Sequence, residues 1–97
     1  METTKVVLGN VRGEIQLFSD DKKIGKMDIS VMGNKLTVYH TEVDDEYAGN
    51  GFAKLLLNQL VSYARENGLK IVPLCPYVHA QFKRHPEEYN DVWLKED

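Results

Sequence analysis

The first half of the chain alternates apolar and polar residues, which is the pattern of strands that bury one face. A polar turn at Ser19–Lys22 and a two-residue hairpin signal at Gly33–Asn34 interrupt the alternation. Gly25, inside the second alternating run, suggests a β-bulge. The pattern therefore predicts an antiparallel meander of three strands, over residues 14–18, 23–32 and 36–43.

In the second half, the apolar residues follow the spacing of a helix. They recur on one helical face from residue 51 to residue 67, and Asn67–Gly68 is a strong stop because glycine tolerates the left-handed conformation after a helix. The nearly all-apolar segment 69–75 then predicts a short strand that is buried on both faces. Strand 36–43, this helix and this strand form a β-α-β unit with parallel strands and a right-handed crossover.

A second, shorter helix is predicted to begin at Pro76, since proline suits the first turn. It ends near Arg84 or His85, because Pro86 disfavours α geometry in the residue before it. Three apolar residues of the tail are expected to dock on the core: Tyr89, Val92 and Trp93. The sequence thus predicts one α/β (α+β) domain over residues 1–97, with a mixed sheet formed by the three-stranded meander and the β-α-β unit, and a short C-terminal helix.

Composition and charge exclude several classes of function. The chain has 97 residues, of which 42% are apolar, enough for one modest core, and its single cysteine excludes an internal disulfide. A net charge of −3 and a pI near 5.6 argue against nucleic acid as a partner, because phosphate contacts need a basic patch. No segment has the roughly 20 apolar residues that span a bilayer, and residues 1–10 lack a signal-peptide core. We therefore expect a cytoplasmic protein with no membrane partner.

A glycine-rich loop, residues 48–53, joins strand 36–43 to the first helix. Two glycines let a ligand approach the backbone, and the free N–H groups of a helix start attract anions such as phosphate. The P-loop pattern is absent, and the dinucleotide fingerprint needs a small residue where Lys54 stands. The residues alone leave two interpretations open: a phosphate site, or a turn that merely starts a helix.

The loop resembles the coenzyme-A loop of the GNAT N-acetyltransferases, whose pattern is Arg/Gln-x-x-Gly-x-Gly/Ala. Gly51 and Ala53 match its last two positions, whereas Ala48 stands where the pattern has Arg or Gln. Four segments resemble, in the same order, those of the minimal stand-alone (YjdJ-type) members of that family: residues 40–43, 49–53, 72–78 and 85–89. The resemblance covers Ile15 to Trp93 and implies a GNAT-like fold that binds acetyl-CoA.

The resemblance also implies how coenzyme A would be held. The backbone amides of residues 49–53 would bind the pyrophosphate, and backbone groups of Val43 would pair with the pantetheine arm as an added strand would. Lys54, Lys83 and Arg84 are candidates for the 3′-phosphate. The predicted cofactor-binding residues are Val43, Gly49, Asn50, Gly51, Phe52, Ala53 and Lys54.

Cys75 and His40 are the candidate catalytic residues that the resemblance implies. Cys75 lies at the end of a strand and just before a helix, whose N-terminus can stabilise a thiolate, and His40 lies near the end of the neighbouring strand. In one mechanism His40 takes a proton from the amine while Cys75 protonates the departing thiolate. In the other, His40 activates Cys75 as a nucleophile. Direct transfer is preferred, because it is the usual GNAT route.

Each candidate also has a purely structural interpretation. Cys75 can be a small buried hydrophobe, and His40, which shares a predicted face with Leu36 and Val38, can be a satisfied core histidine. Tyr77 is either a further candidate acid or a packing residue of the second helix. The spacings of the cysteine and the histidines match no usual zinc pattern, so no metal is expected.

The main hypothesis is therefore an acetyl-CoA-dependent N-acetyltransferase whose amine acceptor, a small molecule or a protein, the sequence does not identify. One alternative is a module that binds coenzyme A or acyl-CoA without catalysis, because Ala48 departs from the pattern and the chain is shorter than a full GNAT domain. Another is a protein-interaction domain that uses the fold alone. The acidic cluster within residues 42–46 either attracts a cationic amine or is simply solvated.

Overall fold

A computed structural model of the protein describes residues 1–95. The elements in chain order are β1 (Glu2–Leu8), β2 (Arg12–Ser19), β3 (Lys22–Met32), β4 (Lys35–Val43), a 3₁₀ turn (Asp45–Tyr47), α1 (Phe52–Glu66), β5 (Lys70–Pro73), α2 (Pro76–Arg84) and α3 (Pro86–Tyr89). Each predicted strand and helix is present, and β1 and α3 are additional. Within this described part of the chain, no helix combines the length and apolar character needed to cross a bilayer.

The strands form one mixed sheet in the order β1-β2-β3-β4-β5. The first four pair antiparallel, and β5 pairs parallel to β4 over four positions that end at Val38↔Pro73, which confirms the predicted fold class. The meander has four strands, so the prediction of three was wrong. β1 was not predicted because it is an edge strand in which only Thr4 and Val6 are partly buried. Its sequence therefore shows little alternation of apolar and polar residues.

Helix α1 covers the apolar face of the sheet. Its buried stripe has the predicted spacing and consists of Leu56, Leu57, Leu60, Val61 and Ala64. The stripe belongs to one core cluster with Ile15, Leu17, Ile29, Leu36 and Val38 of the sheet. Each fully buried leucine in this interface stabilises the fold by about 2 kcal/mol relative to an exposed one. The helix stops as predicted, because Gly68 takes a φ of 65°.

The opposite face of the sheet is polar. The ammonium group of Lys26 lies 3.1 Å from a carboxylate oxygen of Asp28 and 3.7 Å from one of Glu14 and one of Glu42. Because these side chains are partly exposed, the ion pairs contribute little to stability. The sheet therefore has one face that carries the core and one that is polar.

The C-terminal segment closes the edge of the sheet beside β5. Tyr89 and Val92 are each only 2% exposed. Trp93 forms a parallel bridge with Ile71 of β5, and the N–H of Leu94 donates to the Ile71 carbonyl at 2.9 Å. These contacts confirm that the tail docks on the core.

Two β-bulges interrupt the pairing of β3. The first lies at Ile24, next to Gly25, where the sequence predicted one. The second makes Tyr39 an extra residue of β4, because the pairing with β3 jumps from Val38 to His40. Since side chains alternate along a strand, one extra residue moves every later side chain of β4 to the other face.

The chain also turns sharply where β5 ends. The N–H of Leu74 donates to the carbonyl of Val72 at 3.1 Å, which forms a three-residue turn centred on Pro73. Leu74 is consequently 61% exposed, whereas Cys75 is 3% exposed. The β4 bulge and this turn lie at the same level of the sheet, so β4 and β5 separate there.

Candidate functional site

The separation of β4 from β5 creates the candidate site. The last backbone hydrogen bond between the two segments is the N–H of Cys75 donating to the carbonyl of Val38 at 2.9 Å. β4 then continues to Val43, while the chain after Cys75 enters α2. Among residues 1–95, the backbone of β4 beyond Val38 therefore has no strand partner on that side, and an extended ligand could pair with it.

A cleft of about 300 Å³ opens at this point. Its walls come from Thr41 and Val43 of β4, Gly49 and Gly51 of the loop, the first turn of α1, and Tyr77 of α2. The predicted binding residues Val43, Gly49, Gly51, Phe52 and Ala53 all line it. The structure therefore brings the strand edge and the glycine loop together in one cleft.

The glycine loop presents unpaired backbone donors. Gly49 and Gly51 have φ values of 83° and 75°, in the left-handed region that favours glycine. Within the described residues, the backbone N–H groups of residues 49–53 have no acceptor. The first turn of α1 carries no acidic side chain, so the positive end of the helix dipole is not neutralised there. This is the arrangement that binds phosphate at a helix start.

The side chains of two predicted binding residues have other partners. Asn50 donates to the Tyr47 carbonyl at 3.0 Å, so its side chain braces the loop. The ammonium of Lys54 donates to the Tyr89 hydroxyl at 3.2 Å, and this hydrogen bond raises the pKa of Lys54. Lys54 thus links α1 to α3. The other two candidates for the 3′-phosphate, Lys83 and Arg84, lie in the last turn of α2.

Cys75 lies directly behind the cleft. Its sulfur is buried and lies 3.2 Å from the hydroxyl oxygen of Thr41, which itself lines the cleft. Cys75 is the N-cap residue of α2, as predicted, but its thiol does not cap the helix. The thiol therefore borders the cleft through Thr41.

His40 lies on the polar face of β4, and the prediction that it shares a face with Leu36 and Val38 was wrong. Its side chain is 60% exposed, with Nε2 3.8 Å from a carboxylate oxygen of Glu42. The bulge at Tyr39 causes the difference, because it turns His40 away from the core and turns Thr41 towards it. The structure consequently does not place His40 and Cys75 on the same face of the sheet.

Tyr77 faces the cleft from the first turn of α2. Burial raises the pKa of its hydroxyl above the ordinary value of 10.0, so the group keeps its proton at neutral pH. Tyr77 was predicted from the sequence as a further candidate acid, whereas Thr41 was not predicted as a residue of the site. Without the bulge, the strand alternation would have placed Thr41 on the polar face.

The sequence matches the family model described as GCN5-related N-acetyl-transferase over residues 12–92. The chain belongs to this family. The match runs from β2 into the tail and so includes the glycine loop, Cys75 and Tyr77. No curated protein matches the sequence.

Solved structures of GNAT proteins share this mixed fold. A GCN5-like protein of Staphylococcus aureus gives a TM-score of 0.66 at 29% identity, over 96% of this chain and 90% of that one. The ribosomal-protein-S18-alanine N-acetyltransferase of Escherichia coli gives 0.69 at 16% identity, over 75% and 66%. The PaiA N-acetyltransferase of Thermoplasma acidophilum, solved with coenzyme A, gives 0.59 at 17% identity, over 77% and 48%. The chain thus spans two thirds or less of these last two proteins.

Proposed function

We propose that this GNAT protein binds acetyl-CoA in the cleft between β4 and β5 and transfers the acetyl group to an amine. The observation that carries this proposal is the glycine loop, whose unpaired N–H groups lie at one end of a cleft walled by a free strand edge. A pyrophosphate needs such donors, and a pantetheine arm needs such an edge. Family membership supports coenzyme A as the ligand, since the Thermoplasma acidophilum protein of the same fold was solved with it.

In the proposed complex, each part of coenzyme A meets a matching surface. The pyrophosphate accepts hydrogen bonds from the backbone N–H groups of residues 49–53, where Gly49 and Gly51 leave open space for it. The pantetheine arm pairs with β4 at Val43, and the thioester lies near Thr41 and Tyr77. Phe52, Ala53 and the backbone of Asn50 complete the loop end of the site.

Direct transfer fits this geometry better than an acetyl-cysteine intermediate. Cys75 and His40 lie on opposite faces of β4, so His40 is poorly placed to activate the thiol. It is better placed to accept the proton of an amine that approaches from the polar face. The departing thiolate can take its proton from Tyr77, which faces the cleft, or from Cys75, which lies behind Thr41.

Calorimetric titration with acetyl-CoA tests the loop assignment, with Gly51→Asp and Gly51→Asn compared. Both variants place a side chain of similar size at the same left-handed position, and only Asp adds a charge. Repulsion of about 1–4 kcal/mol from the phosphates should lower the affinity of Gly51→Asp at least several-fold below that of Gly51→Asn. Equal affinities would place the phosphates elsewhere, and the absence of binding by the folded wild type would remove coenzyme A from the proposal.

One observation favours a second candidate, a module that binds acyl-CoA without catalysis. Cys75 is 3% exposed and its thiol already has a hydrogen-bond partner, as expected of a structural residue. A panel of primary amines, including polyamines, lysine peptides and peptide N-termini, separates the two functions. Turnover of acetyl-CoA with any of these amines supports the transferase, whereas binding without turnover of any of them supports the module.

A further inference from the structure

The contact between Thr41 and Cys75 lies at the point where the sheet opens. The hydroxyl oxygen of Thr41 and the sulfur of Cys75 are 3.2 Å apart and join β4 to the start of α2. Beside this contact, the bond from Cys75 N–H to the Val38 carbonyl is the last backbone hydrogen bond between the two segments. Thr41, which lines the cleft, therefore connects it to the buried thiol of Cys75.

The backbone of Cys75 leaves its side chain little freedom. Its N–H donates to Val38, and its carbonyl accepts the N–H of His79 at 3.0 Å. The thiol is buried among apolar core residues, and the Thr41 hydroxyl is its polar partner within residues 1–95. A buried weak donor with one polar neighbour takes its direction from that neighbour.

The β4 bulge determines that this neighbour is a hydroxyl. In a regular strand, His40 would share the face of Val38 and Thr41 would lie on the polar face. The extra residue Tyr39 reverses this, so the thiol meets a neutral hydroxyl instead of an imidazole. A hydroxyl can orient a thiol by a hydrogen bond, but it does not act as a base near neutral pH.

We infer that Thr41 is a positioning residue: its hydroxyl aims the Cys75 thiol at the end of the cleft where the thioester would lie. The inference rests on the proposed function for its catalytic meaning, whereas the contact itself can be tested without acetyl transfer. This role differs from that of a residue that only lines the cleft, because the effect of Thr41 on the rate of transfer must pass through Cys75.

The first test is a double-mutant cycle on the rate of acetyl transfer. Thr41→Val keeps the shape and removes the hydroxyl, Thr41→Ser keeps the hydroxyl, and Thr37→Val is the control on the polar face of the same strand. We expect Thr41→Val to lower kcat several-fold with unchanged KM for acetyl-CoA, Thr41→Ser to restore it, and Thr37→Val to have no effect. In a Cys75→Ala background, Thr41→Val should have no further effect. An equal loss in both backgrounds would overturn the inference.

The second test uses thiol alkylation and does not depend on catalysis. Iodoacetamide modification of Cys75 is timed at one pH in the wild type, Thr41→Val and Thr41→Ser, with melting temperatures measured alongside. We expect the rate of Thr41→Val to differ several-fold from that of the wild type and the rate of Thr41→Ser to match it, because without the hydroxyl the thiol loses its polar partner and the direction that this partner sets. Equal rates in all three proteins would overturn the inference. A changed rate in a protein without transferase activity would contradict the proposed function alone.

Discussion

Under the proposed function, Tyr77 is the candidate proton donor that lines the cleft itself. It lies in the first turn of α2 and lines the cleft, while Cys75 reaches the cleft only through Thr41. Burial raises the pKa of the Tyr77 hydroxyl, so the proton is present throughout the neutral range. The thiolate of coenzyme A would leave close to this hydroxyl.

Replacing Tyr77 by Phe should lower kcat for acetyl transfer by about 10²-fold, in the range of general acid catalysis, with little change in affinity for acetyl-CoA. Tyr63→Phe, on α1 and outside the cleft, is the control. Steady-state kinetics of Tyr77→Phe and Cys75→Ala, measured in parallel, identify which residue is the proton donor. If Tyr77→Phe keeps full kcat while Cys75→Ala loses it, Cys75 is the acid and this prediction fails.

At the scale of elements, the cleft depends on how closely β3 packs against β4. Gly25 of β3 pairs with Val43, the last residue of β4. A Cβ atom added at Gly25 would lie 2.8 Å from the carbonyl oxygen of Glu42, which is backbone and cannot swing aside. A side chain at this position would therefore displace the strand edge that lines the cleft.

Gly25→Ala should destabilise the protein by about 1–3 kcal/mol and weaken the binding of acetyl-CoA. Gly33→Ala is the control, because nothing lies within 4 Å of the added Cβ atom. It destabilises the protein by about 1–2 kcal/mol only through the strain of a left-handed turn. Chemical denaturation and calorimetry on both variants measure the two effects. Weaker binding in Gly33→Ala but not in Gly25→Ala would contradict the link between this packing and the cleft.

At the scale of the whole molecule, a side chain of α1 holds the C-terminal tail. The guanidinium of Arg65 donates to the Asp91 carboxylate at 2.8 Å and to the Glu88 carbonyl at 2.8 Å. The hydrogen bond from Arg65 lowers the pKa of Asp91. Because both side chains are about half exposed, the ion pair itself contributes only a few tenths of a kcal/mol.

Arg65→Ala should lower the free energy of unfolding by about 1 kcal/mol near neutral pH, since the bond to the Glu88 carbonyl is lost as well. A carboxyl group with a lowered pKa in the folded state stabilises above its unfolded value of 3.8, and this contribution disappears as the pH falls through the folded value. The difference between wild type and Arg65→Ala should thus shrink in acid. Denaturation of both proteins near neutral pH and near pH 3 measures this, with Arg84→Ala as the control. A difference that grows in acid would contradict the assignment.

Periodicity in the sequence was enough to predict most elements and the loop. The helical stripe of α1, the stop at Gly68 and the proline start of α2 follow from local rules, and all three are confirmed. The glycine loop was equally visible, because its conformation depends on residue types within a few positions of each other. Local chemistry also located Cys75 at the start of α2.

Only the tertiary structure decided which side chains meet. β1 is held by pairing with β2, and its own residues bury too little apolar surface to signal a strand. The bulge at Tyr39 is fixed by the register between β3 and β4, and it determines that Thr41, not His40, contacts Cys75. Alternation along a strand can be read from sequence only while the strand is regular, and a single extra residue reverses it. The sequence by itself therefore determined most of the elements and the glycine loop, and long-range pairing determined which side chains meet beside the cleft.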